Sequence, residues 1–255
     1  MRLRGLFLFI ALLLAFSTYV DGQKRTSSPK GKAAPVQKPK EIGSTAVVMD
    51  ETLSVLRVKP SLFADSVQRM RRGRKVQILG ITEADGVRFY RVTAPPNNSG
   101  WVQADAVFGK FREGDDARLA GLVQASTGFD QIELASSFFE IYPQSQFRSA
   151  LLLLYGDLLE ETATKLSKDA GSRLDRREMA ASAAPMHSYY LNFVMLDRYR
   201  KLDIVFLFNS AVRAFHYNGA SWKEILQKFP ASSESAEAQK RLDSLKEKMG
   251  RAAAK

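Results

Sequence analysis

Hydrophobic residues between positions 46 and 108 occur in short runs separated by turn-forming residues, a pattern typical of β-strands. The runs are Val47 to Met49, Val55 to Val58, Lys75 to Leu79, Phe89 to Val92, and Trp101 to Val102. Glycine, proline and asparagine lie between them, and these residues favour turns because glycine adopts positive φ and proline restricts φ. So many short strands in one segment predict a small, strongly bent barrel or sandwich.

After Phe111 the hydrophobic residues recur at spacings of three and four, which is typical of amphipathic helices. The stripes are Leu151, Leu154, Tyr155, Leu158 and Leu159, then Trp222, Ile225, Leu226 and Phe229, and finally Ala238, Leu242, Leu245 and Met249. Asp130 to Glu133 and Ser221 to Glu224 each fit a capping box, in which a small polar residue and an acid three positions later bind free amides at a helix start.

Two strand-like runs, Ile204 to Phe208 and Ala214 to Tyr217, interrupt this helical pattern. They flank the short polar segment Asn209 to Ala211. We therefore predict a β-hairpin inserted in the helical half.

One phrase occurs twice in the helical half, as Phe139 to Ser145 and as Leu226 to Ser232. In each copy a proline follows an aromatic residue and cannot continue the first helix, and a serine two positions later can cap the second. Each copy thus predicts a helical hairpin. The phrase resembles tetratricopeptide-like (TPR-like) repeats of envelope proteins, although two imperfect copies are fewer than a free-standing solenoid usually needs.

Four motifs in the strand-rich segment resemble, in their order, those of bacterial SH3-type (SH3b) domains. They are Leu56 to Pro60, Met70 to Leu79, Phe89 to Val92, and Ser99 to Val102 followed by Ala106 and Val107. The resemblance implies a small β-barrel that binds cell-wall peptides, glycans or protein partners without doing chemistry. The family often has Arg-Ser-Gly after the first strand, where this chain has Val58 to Leu62, so a ligand preference does not carry over.

The predicted fold class is therefore α+β and multidomain: a small SH3-like β-barrel followed by a mainly α-helical TPR-like domain with a β-hairpin insertion. Before these domains, residues 1–22 combine Arg2 and Arg4 with an apolar run too short to span a bilayer. This pattern predicts a secretory signal peptide, with an uncleaved anchor as the alternative. The predicted boundaries are 1–22 for the signal peptide, 23–43 for a disordered basic linker, 44–110 for the barrel and 111–255 for the helical domain.

The chain of 255 residues has a formal net charge of +11, and much of the excess lies in the predicted linker. A solvated spacer is the simpler interpretation of residues 23–43. The alternative is a weak electrostatic tether to anionic wall polymers or lipid head groups. Nucleic acid is not an expected partner of an exported chain.

Aromatic and basic residues of the predicted barrel are candidates for ligand binding. Trp101 and Tyr90 would offer an aromatic face that stacks on a sugar or proline, and Arg71, Arg72 and Arg74 would offer a patch for acidic ligands. The structural alternatives are that Trp101 closes the barrel and that the arginines are a solvated turn around Gly73.

Catalytic chemistry finds little support in the composition. The chain has no cysteine and two histidines, His187 and His216, so neither lipid attachment through cysteine, a cysteine peptidase nor a zinc site is predicted. We expect no cofactor and no enzyme activity. The expected function is that of an exported, periplasmic or secreted envelope protein that binds peptidoglycan or a protein partner and acts as a scaffold, with an unknown oligomeric state. The alternative is a cell-wall hydrolase or its accessory subunit, with Glu140, Glu160 and Glu161 as the acids to test.

Overall fold

The computed structural model describes residues 39–96, 98–174 and 185–250. From Pro39 onward these residues belong to one compact unit. The predicted signal peptide and most of the predicted linker lie outside the described residues. Within the described part of the chain, no helix is both long and apolar enough to cross a membrane.

Residues 45–108 form a curled antiparallel sheet of seven strands, ordered β3-β2-β6-β5-β4-β1-β7. The strands are β1 (Thr45–Val48), β2 (Val55–Arg57), β3 (Ser66–Arg69), β4 (Lys75–Ala84), β5 (Val87–Ala94), β6 (Asn98–Gln103) and β7 (Val107–Phe108). The longest hairpin, β4–β5, turns at Asp85 and Gly86, both with positive φ (53° and 73°). Two such residues match the right-handed twist of the flanking strands.

The prediction of a small SH3-like barrel is wrong, because this sheet is an open half-barrel. Its outer strands β3 and β7 each pair on one side only and not with each other. The hydrophobic runs indicated most of the strands correctly, but β3 has a polar sequence, Ser-Val-Gln-Arg, and was not predicted. Strand pairing between distant segments decides whether a sheet closes, and short runs do not encode that pairing.

Seven α-helices and a second, two-stranded sheet follow in the described residues. The helices are α1 (Asp115–Ala125), α2 (Gly128–Ile141), α3 (Arg148–Arg173), α4 (Met186–Leu191), α5 (Asp197–Arg200), α6 (Ala220–Lys228) and α7 (Ser235–Gly250). Short 3-10 turns occupy Ala104–Ala106 and Val194–Leu196. A hairpin of β8 (Phe206–Asn209) and β9 (Ala214–Tyr217) lies where the strand-like runs predicted one.

The prediction of a TPR-like domain is also wrong. The repeated phrase does join α2 to α3 and α6 to α7, but the helices in these pairs have 14 and 26 residues, and 9 and 16 residues. Helices so unequal cannot stack as equivalent repeats. The β8–β9 hairpin and α6 instead both pack on the long helix α3. The helical half therefore shares one hydrophobic core.

The two predicted capping boxes do not cap helices. Helix α2 begins after Thr127 and α6 begins after Gly219, so Asp130 and Ser221 lie inside their helices. The acids of the two boxes make ion pairs instead. Glu133 binds Arg72 of the sheet at 2.9 Å, and Glu224 binds Arg148 of α3 at 2.7 Å.

The buried residues form two hydrophobic clusters, one inside the curl of the sheet and one among the helices. Met49 and Phe108 come from the sheet segment but belong to the helical cluster, where they are almost fully buried. Arg118 of α1 lies over the Phe108 ring, 4.1 Å from its centroid. The helices therefore pack directly on the β1–β7 end of the sheet.

Helices α3 and α6 are in close contact at Gly156. A Cβ atom placed on Gly156 would lie 2.2 Å from Nε1 of Trp222 and 2.6 Å from Oγ of Ser221. Such distances are too short for any side chain. A glycine is thus required where the fully buried indole of Trp222 meets α3.

Candidate binding surface

A row of two arginines and one tryptophan crosses the outer face of the sheet. Trp101 of β6 lies opposite Arg57 of β2 on one side and opposite Arg91 of β5 on the other. Directly opposed residues of antiparallel strands place their side chains on the same face, about 5 Å apart at Cβ. Arg91 in turn faces Gly80 of β4, which has no side chain to cover it.

The members of this row are reachable from solvent. Trp101 is half-buried, Arg91 is exposed, and Arg57 is partly buried. Arg57 donates a hydrogen bond from Nη1 to the carbonyl oxygen of Ala64 at 2.7 Å, whereas its buried Nε has no partner. Neither arginine forms an ion pair with an acid of the described residues. The row therefore combines an aromatic ring with two cations that have no acidic partner in the described part of the chain.

Exposed hydrophobic side chains lie next to the row. Phe63 is 89% exposed at the tip of the loop between β2 and β3. Asp85 holds this loop, because its carboxylate accepts hydrogen bonds from Oγ of Ser61 at 2.7 Å and from the amide of Leu62 at 2.8 Å. The same hydrogen bonds lower the pKa of the Asp85 carboxyl. An anchored loop thus presents a free aromatic ring beside Arg57.

Tyr90 does not contribute to this face. It lies opposite Val102, on the inner side of the sheet, and its side chain is completely buried. Its ring meets Phe111 edge-on at 6.2 Å, and burial raises the pKa of its hydroxyl. Adjacent strand residues point to opposite faces, so Arg91 rather than Tyr90 accompanies Trp101. The expected aromatic face of Tyr90 and Trp101 is absent.

The three arginines around Gly73 have different surroundings. Arg72 is 13% exposed at its side chain and binds Asp130 at 3.5 Å and Glu133 at 2.9 Å, both on α2. Arg74 donates to the carbonyl oxygen of Pro95. Of these three arginines, Arg71 is the exposed one. Arg72 instead joins the sheet segment to the helices.

Glu160, proposed from the sequence as a catalytic acid, is instead bound by three donors. Its carboxylate accepts from Nζ of Lys248 at 2.7 Å, from the amide of Tyr217 at 2.8 Å, and lies 3.0 Å from Nδ1 of His216. Burial alone would raise the pKa of Glu160, but these hydrogen bonds lower it to about 2. Sequence patterns do not reveal this arrangement, because the donors lie more than fifty positions away along the chain.

The carboxylates near Glu160 are also paired with cations. Glu160, Glu161 and Asp157 line one cavity of about 300 Å³. Asp157 binds Arg241 at 2.9 Å, and Glu161 binds Lys165 at 2.6 Å. Glycoside hydrolysis requires one carboxyl group that stays protonated, whereas the hydrogen bonds to Glu160 lower the pKa of its carboxyl group to about 2. Glu140 is exposed on α2, outside this cavity.

The two histidines lie on different faces of the β8–β9 hairpin. His187 packs against Phe208, with ring centroids 5.6 Å apart, whereas His216 binds Glu160. No group of three or more potential metal ligands occurs among the described residues.

Comparisons with family models, curated proteins and solved structures found no match for this chain.

Proposed function

We propose that this chain is a non-catalytic, exported binding protein of the bacterial cell envelope, and that the outer sheet face binds peptidoglycan. The observation that supports it is the cross-strand row of Arg57, Trp101 and Arg91. Peptidoglycan combines sugar rings, which stack on tryptophan, with peptide carboxylates, which accept the paired hydrogen bonds of a guanidinium group. The helical half serves as a scaffold that contacts protein partners.

Co-sedimentation of the full chain with purified peptidoglycan tests the proposed ligand. We expect Trp101→Ala and Arg91→Ala each to weaken retention by about tenfold, because each removes a central contact of the row. Arg88→Ala is the matched control, since Arg88 lies on the same strand but pairs with Glu83 at 3.3 Å. Thermal denaturation of every variant confirms that the fold is intact.

Two outcomes contradict the proposal. Equal retention of Arg91→Ala and Arg88→Ala would show that net charge alone matters. Release of soluble muropeptides by the purified chain would show a hydrolase, and substitution of Glu160 and Glu161 would then identify the acid.

A further inference from the structure

Strand β1 has an unpaired stretch along the edge that faces β7. On that side β1 pairs only through Val47 with Phe108 and through Val48 with Val107. Hydrogen bonds to the two neighbours of an antiparallel strand alternate along it. Val48 donates to the carbonyl oxygen of Arg74 on β4 at 2.9 Å, so the backbone groups of Thr45, three residues earlier, are directed away from β4. No strand of the described residues reaches Thr45 from that side.

The backbone of Gly109 explains why β7 ends before it reaches Thr45. The Gly109 amide donates to the carboxylate of Asp115 at 3.3 Å, and its carbonyl oxygen accepts from the hydroxyl of Tyr142 at 3.3 Å. Both partners belong to the helical half. Gly109 therefore does not extend β7 along β1, and a gap lies between Thr45 and Gly109.

A groove of about 490 Å³ occupies this gap. Val47, Phe108 and Phe111 provide apolar walls, and Lys40 and Lys110 provide its only charged side chains among the described residues. Neither lysine forms an ion pair with a described acid. Asp116 lines the adjoining cavity beside Lys110, but its carboxylate accepts from Oγ of Ser145 at 2.7 Å and from the amide of Ala117 at 2.9 Å.

We propose that this groove binds an extended acidic peptide segment of a protein partner, which adds to the sheet as a further strand beside β1. An open strand edge supplies main-chain hydrogen bonds, and the pockets along it select alternate side chains. The apolar walls accept one side chain of the peptide, while Lys40 and Lys110 bind carboxylates at its flanks. This surface lies at the β1–β7 edge and is separate from the row of Arg57, Trp101 and Arg91.

Charge complementarity favours an acidic partner over the chain's own N-terminal segment. That segment carries Lys24, Arg25, Lys30, Lys32 and Lys38. Their charges would repel Lys40 and Lys110 in a groove without acids. A second copy of the chain is disfavoured for the same reason, because its own Lys40 and Lys110 would lie close to those of the first copy.

Fluorescence anisotropy with the full chain tests this proposal. The probe is a labelled peptide of alternating aspartate and valine residues, compared with a lysine and valine peptide and with the acidic peptide N-methylated at alternate residues. We expect the acidic peptide to bind at least about tenfold more tightly than either of the others, because one lacks the carboxylates and the other cannot pair with β1.

Charge reversal of the groove is the complementary test. Lys110→Glu should weaken binding of the acidic peptide by at least about tenfold. Lys168→Glu is the matched control, because Lys168 is an exposed lysine of α3 that does not line the groove. Equal binding of the N-methylated peptide, or equal effects of the two lysine variants, would overturn the proposal. Failure of the acidic peptide to bind the full chain would also overturn the proposal. This holds even if the cause is that a second copy or the N-terminal segment already occupies the groove.

Discussion

The outer face of the sheet and the cavity beside α3 use charged residues in opposite ways. On the sheet, Arg57 and Arg91 flank Trp101, and neither has an acidic partner within residues 39–96, 98–174 and 185–250. Beside α3, Glu160 receives three hydrogen bonds, and its neighbouring carboxylates each have a cation. Charges satisfied within the chain stabilise its fold, whereas unsatisfied charges at the surface are free for a ligand. The contrast supports the proposal that the sheet face, rather than the cavity, is the binding surface.

Removal of the Glu160 carboxylate should have the largest effect on stability. Glu160→Ala leaves His216, Lys248 and the amide of Tyr217 without an acceptor, and we expect it to lower the free energy of unfolding by about 2–4 kcal/mol. Urea denaturation measures this change. Glu161→Ala, one position along the same helix, should change stability by less than about 0.5 kcal/mol, because its ion pair is exposed. Similar decreases in unfolding free energy for Glu160→Ala and Glu161→Ala would contradict the special structural role of Glu160.

The stability that Glu160 provides should depend on pH. The folded-state pKa is about 2, below the ordinary value of 4.5, so the unfolded chain binds the proton more readily. The contribution is complete above about pH 5 and is lost as the pH falls towards 2. The difference in unfolding free energy between the wild-type chain and Glu160→Ala should therefore shrink over this interval. A difference that stays constant between pH 7 and pH 3 would disprove the role of ionised Glu160.

Arg72 and Arg91 provide the smallest and most selective comparison. Arg72→Ala breaks the ion pairs to Asp130 and Glu133 and should cost about 1–2 kcal/mol of unfolding free energy without changing peptidoglycan retention. Arg91→Ala should alter stability by less than about 0.5 kcal/mol, since Arg91 is exposed, yet reduce retention. Chemical denaturation and co-sedimentation of the same preparations measure both properties. If Arg72→Ala and Arg91→Ala have the same effects on stability and retention, the assignment of Arg72 to the fold and of Arg91 to binding is wrong.

The sequence predicted local elements well where hydrophobic spacing is regular. The stripe from Leu151 to Leu159 lies within α3, and the runs around 206 and 215 form β8 and β9. Gly86 also lies in a turn between two strands, as expected of the glycines between the hydrophobic runs. These features depend on neighbouring residues, so a single sequence contains the information they need.

Features that depend on distant partners were predicted poorly. Asp130 and Glu133 matched a helix start by spacing, but Arg72 of the sheet binds them across about sixty positions. The prediction of a closed barrel was wrong for a similar reason, because pairing between edge strands depends on segments far apart in the sequence. Trp101 was expected to share a face with Tyr90, because the register of the strands was unknown. The structure instead places Arg57 and Arg91 opposite Trp101.

The burial of Met49 and Phe108 among the helices means that the sheet and the helices of residues 39–250 are not separate modules. Cutting it between the last strand and α1 would leave Phe108 without Arg118 and would open the helical core at Met49. Neither fragment would keep the packing that it has in the full chain. The functions of the two halves therefore have to be separated by point substitutions rather than by truncation or domain exchange. The same packing couples the halves in folding, because the helical core is incomplete until the β1–β7 end of the sheet has formed.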